Sequence, residues 1–370
     1  MKKEPKIALV HDFLNQFGGA ERVLIELCKI YPAAPLFTLM SQEKIIKKFF
    51  PNQEIRTSFI DHFPNFLRRR SKYLLPFLPA AIESFDLKEF DIIISDSNSF
   101  AQGIITRPGS VHICYCHSPA RYLWDWNQEY LEENKIRGFK KLIVLLILNW
   151  VRVWNSFSAK RVDKWLANSK NVAARIKKYF KAEAEVIYPP IDTSCFKIGK
   201  PSDYFLIVSR LEPYKKIDLA IRAFNALNLP LIIIGTGSAE KYLKKIARSN
   251  IKFLGFLEDE MVKEFLSGCR ALVFPGEEDF GIVPVEAMAS GRPVIGYGKG
   301  GLLETVIPGK TGILFEKPKV SFIIDAIRDF LKIEEKFDPK FIRIHAENFD
   351  KKKFIQKMKE VVEAVTFGKR

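Results

Sequence analysis

Short apolar runs alternate along the chain with longer stretches whose apolar positions recur at helical spacing. Residues 6–11 form the first run, and residues 20–30 place Val23, Leu24, Leu27 and Ile30 on one helical face. Residues 91–95 and 111–115 read as strands, as do 164–168 and 184–188 around a helix at 171–180. PPIDTSCFKIGKPSD at 189–203 is rich in Pro, Gly, Ser and Asp and reads as a linker. Beyond it, strands at 204–209, 231–234, 251–254, 271–274, 293–296 and 312–315 alternate with helices at 218–227, 238–247, 259–267 and 283–289. Further helices are expected at 321–332 and 351–365. Two such runs predict two doubly wound parallel sheets, an α/β architecture. Ligands of these folds bind beyond the carboxyl ends of the strands, so the expected site is the gap between the two domains.

Composition narrows the class. A chain of 370 residues with 47% hydrophobic content suits two domains and excludes a disordered or fibrous protein. Five scattered cysteines do not make a disulfide framework and point to a reducing cytoplasm. Cys114 and Cys116 alternate in an apolar run and read as buried thiols on one strand face. The start, MKKEPKIALVHD, lacks the pattern of a signal peptide. The longest purely apolar run, 142–148, is shorter than a membrane span, so the expectation is a soluble or membrane-surface protein.

Charge changes the picture most. Lys and Arg number 59 against 43 Asp and Glu, a formal net charge of +16. Residues 135–181 hold 13 Lys or Arg and one acid, Asp163, interleaved with Leu, Ile, Val, Trp and Phe. Trp150 and Trp154 lie one helical turn apart. A basic, aromatic-bearing helix fits the headgroup layer of an anionic membrane; a core helix with solvated flanks is the plainer alternative. No helix-turn-helix, zinc-finger or RNA-binding signature accompanies the charge, so nucleic acid is not an expected partner. A second basic cluster, Arg68, Arg69, Arg70 and Lys72, either extends the same surface or is a solvated turn.

Three segments carry candidate chemistry. After the first strand, Gly18 and Gly19 open a helix, where a bare backbone and free N–H groups can meet an anion. Arg210, Lys215 and Lys216 converge where the second run of units starts, and such cations can neutralise a diphosphate. In FPGEEDFGIVPVEAMASG, 274–291, Glu278 lies in a loop and Glu286 about one turn into a helix. The backbone N–H groups of Gly281, Ile282 and Val283 lie between them, and Glu286 can accept from two neighbouring ribose hydroxyls.

GGAE at 18–21, YCHSPARYLWD at 115–125, NSKNVAARIKKYF at 168–180, VIYPPID at 186–192, SRLEPYKKIDLAI at 209–221, the Glu278–Glu286 pair and GRPVIGYGKGGLLETV at 291–306 occur in an order that resembles retaining glycosyltransferases of family 4, with the GT-B fold. YCHSPARYLWD and IYPPID look most like mannosyltransferases that build surface polysaccharides, such as the O-antigen enzymes of lipopolysaccharide. The resemblance implies two Rossmann-like domains with the active site in the inter-domain cleft. It implies an acceptor-binding domain at 1–190, completed by helix 351–365, a linker at 191–203 and a nucleotide-sugar-binding domain at 204–345. It places Gly18 and Gly19 beside the donor's phosphate and sugar, His117 at the sugar through its imidazole or carbonyl, Arg210 and Lys215 on the diphosphate, Glu278 on sugar hydroxyls and Glu286 on the ribose. Many relatives carry Gly where this chain has Lys216, so either lysine is a candidate phosphate ligand.

The implied reaction moves a hexose, mannose from GDP-mannose, onto a hydroxyl of a lipid-linked or polysaccharide acceptor. No cofactor or metal is expected, since no Asp-x-Asp motif marks the loops. The expected place is the cytoplasmic face of the cell membrane, held peripherally. The alternatives are a UDP-sugar enzyme with a soluble acceptor, a nucleotide-sugar epimerase, or a binding protein without catalysis.

Overall fold

The computed structural model describes residues 5–68 and 71–367. Arg69, Arg70 and the side chain of Lys72, part of the second basic cluster, lie outside the described residues. The chain divides into two compact units, Met1–Pro190 with Phe354–Arg370, and Ile191–Lys353.

The first unit contains strands β1 (Ile7–Leu14), β2 (Leu36–Ser41), β3 (Ile55–Thr57), β4 (Ile92–Ser97), β5 (Val111–Cys116), β6 (Lys164–Ala167) and β7 (Ala184–Val186). They form a parallel sheet in the order β3-β2-β1-β4-β5-β6-β7. Chain direction reverses its lateral progress between β1 and β4, where a doubly wound sheet opens its ligand crevice. Both faces are covered: Ala8, Val10, Leu39 and Ile93 pack on one side, Leu9, Leu36, Ile94 and Ile113 on the other. Cys114 and Cys116 are buried on one face of β5.

Strand β1 runs two residues past Asp12, and β2 and β3 were not among the expected strands. In β1 and β2 a buried polar side chain interrupts the apolar run. Asp12 is buried because its carboxylate accepts from four backbone amides, those of Asn98, Ser99, Phe100 and Ala101, at 2.6–2.9 Å. Thr38, in the middle of β2, is buried with its hydroxyl donating to the Asp12 carbonyl.

The helix Lys351–Phe367 supplies Phe354, Met358, Val361 and Val362 to the core around Leu24 and Leu27. Burying each such side chain is worth roughly 2 kcal/mol. The helix Gly138–Ser158 packs Leu148, Val151, Asn155 and Ser158 inward. Trp154 is half-buried against the core: its indole N–H donates to Glu83 at 2.8 Å, and Gly103 leaves room for its ring. Trp150 faces outward, so the two tryptophans separate. Phe139, Leu142, Ile143, Leu146, Val153 and Phe157 are exposed with it. Their spacing of three, four or seven residues makes one continuous apolar stripe. The segment Gly138–Arg161 is long and apolar enough to cross a membrane by length and composition, contrary to the count of uninterrupted apolar residues.

The second unit contains β8 (Phe205–Val208), β9 (Leu231–Ile234), β10 (Ile251–Gly255), β11 (Leu272–Phe274), β12 (Val294–Tyr297) and β13 (Gly312–Phe315). Their parallel order is β10-β9-β8-β11-β12-β13, again with a switch point, between β8 and β11. Residues 191–203, expected as a linker, belong to this unit. Ile191 bridges Asp350, whose carboxylate accepts from Thr193, and the Arg292 guanidinium donates to the Gly199 carbonyl.

Candidate functional site

Each unit carries candidate groups at its own switch point. In the first, β1 and β4 are in register so that His11 lies opposite Asp96. His11 Nδ1 is 2.8 Å from Asp96 Oδ2, and Asp96 Oδ1 is 2.6 Å from His117 Nε2. His117 is the residue after β5, with its N–H bonded to the Ser97 carbonyl and its own carbonyl accepting from Asn168 at 3.0 Å. Gly18 precedes the helix Gly19–Ile30, and its N–H donates to Glu21 Oε2 at 2.7 Å. Gly18 has extended backbone, so its conformation does not demand glycine. The missing side chain instead leaves the turn's backbone open.

The electrostatics of this corner follow from burial. His11, Glu21 and Asp96 are nearly inaccessible. Burial alone would lower the His11 pKa, but Asp96 and Glu21 outweigh it and push it up to about 10. Burial opposes ionisation of Asp96 as well, yet the two histidines hold its carboxyl below the usual range. His112, on β5, lacks such partners. Its Nε2 is 2.8 Å from the Ser95 hydroxyl, and burial drives its pKa down to about 3.

In the second unit, Arg210 follows β8 and Lys215 ends a 3₁₀ turn, Pro213–Lys215. Arg210 is exposed and donates to the Tyr214 hydroxyl at 2.9 Å. Lys215 forms an ion pair with Glu278 in the loop after β11. A close approach permits this: a Cβ on Gly276 would lie 2.9 Å from the Lys215 carbonyl oxygen. The Glu278 backbone is pinned from the other side, its carbonyl accepting from Gly301 at 2.9 Å. Lys216 has φ +55° and ψ +30°, the left-handed region that glycine occupies without strain, which is a physical reason for Gly at this place. Gly281 precedes the helix Ile282–Ala289. Ile282 and Val283 form its first turn, and Glu286 in the second turn is buried.

The structure thus brings Lys215 to Glu278 and links Gly18 to His117 through a chain of side chains. Sequence reading missed His11, Glu21, Asp96 and Asn168. The available signal was an ionisable residue at the carboxyl end of an apolar run, as in LVHD and IISD. Among the described residues, no group of three or more His, Cys, Asp or Glu is arranged to hold a metal ion.

Residues 17–194 match the family model described as Glycosyltransferase Family 4, and residues 192–348 match Glycosyl transferases group 1. With two parallel sheets that each have a switch point, this makes the chain a glycosyltransferase of GT-B architecture. Among curated proteins it is similar to the alpha-1,3/1,6-mannosyltransferase ALG2 of Dictyostelium discoideum, 26% identical over 85% of this chain and 86% of the relative. Among solved structures it is similar to sucrose-phosphate synthase of Thermosynechococcus elongatus, TM-score 0.76 at 18% identity, covering 99% of this chain and 100% of that one. The HepE protein of Anabaena in complex with UDP gives TM-score 0.71 at 18% identity over 97% of this chain and 100% of that one.

Proposed function

We propose that the protein transfers mannose from GDP-mannose, with retention, to a hydroxyl of a lipid-linked glycan at an anionic membrane surface. The Lys215–Glu278 pair carries the reading: an ammonium that can turn to a diphosphate, joined to a carboxylate that can turn to sugar hydroxyls. Each neutralises the other until a donor supplies both partners. Arg210 adds a second cation, and Glu286 takes the ribose hydroxyls. The open turn at Gly18 and Gly19, with the N-terminal amides of the helix Gly19–Ile30, meets the phosphate and sugar. His117 meets the sugar.

The reaction breaks the bond between the anomeric carbon and the β-phosphate oxygen. The acceptor oxygen bonds to that carbon on the same face, and its proton passes to the departing phosphate. Charge on the leaving diphosphate is met by Arg210, Lys215 and backbone amides, so the proposed reaction needs no metal. The choice of mannose is supported by the mannosyltransferase relative. The membrane-bound acceptor is supported by the apolar stripe from Phe139 to Phe157, set in the cationic stretch 135–181. In this reading the protein works peripherally, on the cytoplasmic side of the membrane.

Calorimetric titration with GDP and UDP, followed by transfer assays with GDP-mannose and a lipid-linked acceptor, tests the reading. GDP binds more tightly, transfer requires the lipid-linked acceptor, and Glu278→Ala abolishes it. His117→Ala cuts turnover by about 10²-fold with little change in nucleotide affinity. Tighter UDP binding, or equal transfer to soluble sugars without membranes, overturns the donor or the acceptor assignment respectively.

A further inference from the structure

The buried ionisable groups of the first unit form one continuous chain. The Gly18 N–H donates to Glu21 Oε2 at 2.7 Å, and Glu21 Oε1 lies 3.7 Å from His11 Nε2. His11 Nδ1 lies 2.8 Å from Asp96 Oδ2, and Asp96 Oδ1 lies 2.6 Å from His117 Nε2. The chain spans the helix Gly19–Ile30, β1, β4 and the end of β5. The side chains of His11, Glu21 and Asp96 are at most 4% exposed, and that of His117 is 10% exposed.

Donor and acceptor rules fix the protons. An ionised carboxylate only accepts, so the His117 nitrogen facing Asp96 carries the hydrogen. In the neutral ring Nδ1 is then the accepting atom. His11 Nδ1 faces Asp96 Oδ2 and also the Asp96 carbonyl at 3.1 Å, both acceptors, so it too is protonated. Its Nε2 faces a second carboxylate. A neutral His11 would leave Asp96 and Glu21 as buried anions without a cation, a costly arrangement. His11 is therefore the imidazolium that lets both stay ionised, in keeping with its raised pKa. The His117 backbone is held separately, by Ser97 and Asn168, which leaves the imidazole to meet a ligand.

We propose that Asp96 and His11 are positioning residues for transfer. Asp96 fixes the His117 imidazole with Nε2 protonated and Nδ1 presented as an acceptor. His11 couples that carboxylate, through Glu21, to the Gly18 turn. The imidazole and the turn thereby hold one geometry, so a sugar hydroxyl that donates to Nδ1 and a phosphate at the turn meet a preset spacing.

This rests on the proposed function only in giving His117 a sugar to meet, and the first test needs no sugar. Protein labelled with ¹⁵N at histidine is examined by long-range proton–nitrogen correlation at about pH 8.5, where an ordinary imidazole is neutral. The His117 signals are assigned by their loss in His117→Gln. The expected result is a His117 ring with Nε2 protonated and Nδ1 bare, and a His11 ring with both nitrogens protonated. The opposite His117 tautomer, or a neutral His11, overturns the proposal.

The second test is Asp96→Asn in the transfer assay. Turnover falls by about 10²-fold while nucleotide affinity stays within about threefold. Unchanged turnover, or turnover and affinity falling together in folded protein, overturns the positioning role. If Asp96→Asn does not fold, the ring tautomer in the unsubstituted protein still decides. Absence of transfer with every sugar nucleotide would defeat the proposed function and leave the tautomer assignment standing.

Discussion

His11 and His112 are buried in the same sheet with opposite electrostatic fates, and this gives unit stability a defined pH dependence. His11 titrates at about 10 when folded and at an ordinary 6.5 when not. Its contribution is fully present below about pH 6.5 and is lost as pH rises towards 10. The gap corresponds to roughly 5 kcal/mol in total, with a limiting slope of about 1.4 kcal/mol per pH unit. His112 titrates at about 3 when folded, so its contribution is present above pH 6.5 and is lost as pH falls. The two limbs meet near pH 6.5. Glu21 and Asp96 face His11, and the Asp96 carboxyl is held below its usual range by the two histidines. The Cys28 thiol nearby is pushed up to about 12 by burial, so it adds to the loss only where an unfolded cysteine ionises. The diagnostic window is therefore pH 6.5 to about 8.5.

All five tryptophans, Trp124, Trp126, Trp150, Trp154 and Trp165, lie in the first unit. Urea unfolding followed by tryptophan fluorescence thus reports that unit. The expected curve loses about 2 kcal/mol between pH 6.5 and 8.5. His11→Gln should be less stable at pH 6.5 and nearly flat across the window. A flat curve for the unsubstituted protein, or an equal slope in His11→Gln, would refute the assignment of His11 as a buried cation.

Other substitutions test the remaining geometry. Lys216→Gly relieves a left-handed backbone and should stabilise the second unit by about 1 kcal/mol, seen as slower amide exchange in the helix Ile217–Leu227. Gly300→Ala places a Cβ 2.2 Å from the Glu278 carbonyl oxygen at φ +64°; it should displace the Glu278 loop and weaken nucleotide binding at least about tenfold by calorimetry. Leu146→Glu puts a charge in the exposed apolar stripe, and sedimentation with anionic vesicles should fall while the urea midpoint holds. Equal sedimentation by the variant would discard the stripe as the membrane contact.

Strands buried on both faces read as plain apolar runs, which is why β5, β9 and β11 were legible in the sequence. The Glu278 loop and the helix Ile282–Ala289 were legible from glycine, proline and spacing. What stayed hidden depends on partners far away in sequence. His11 and Asp12 end the first apolar run, yet β1 continues, because one meets a carboxylate 85 residues on and the other caps the loop after β4. The same holds for Trp150 and Trp154. Adjacent on a helical wheel, they differ because Glu83 and the space at Gly103 claim only the second.

The last helix gives the order of synthesis a cost. Phe354 and Met358 close a core begun by Leu9 and Leu24, but the whole of Ile191–Lys353 is translated in between. At about 5–20 residues per second, the nascent first unit waits roughly ten to thirty seconds with that apolar face unsealed. During this interval a chaperone, or the stripe of a neighbouring chain, competes for the surface that the chain's own tail finally covers.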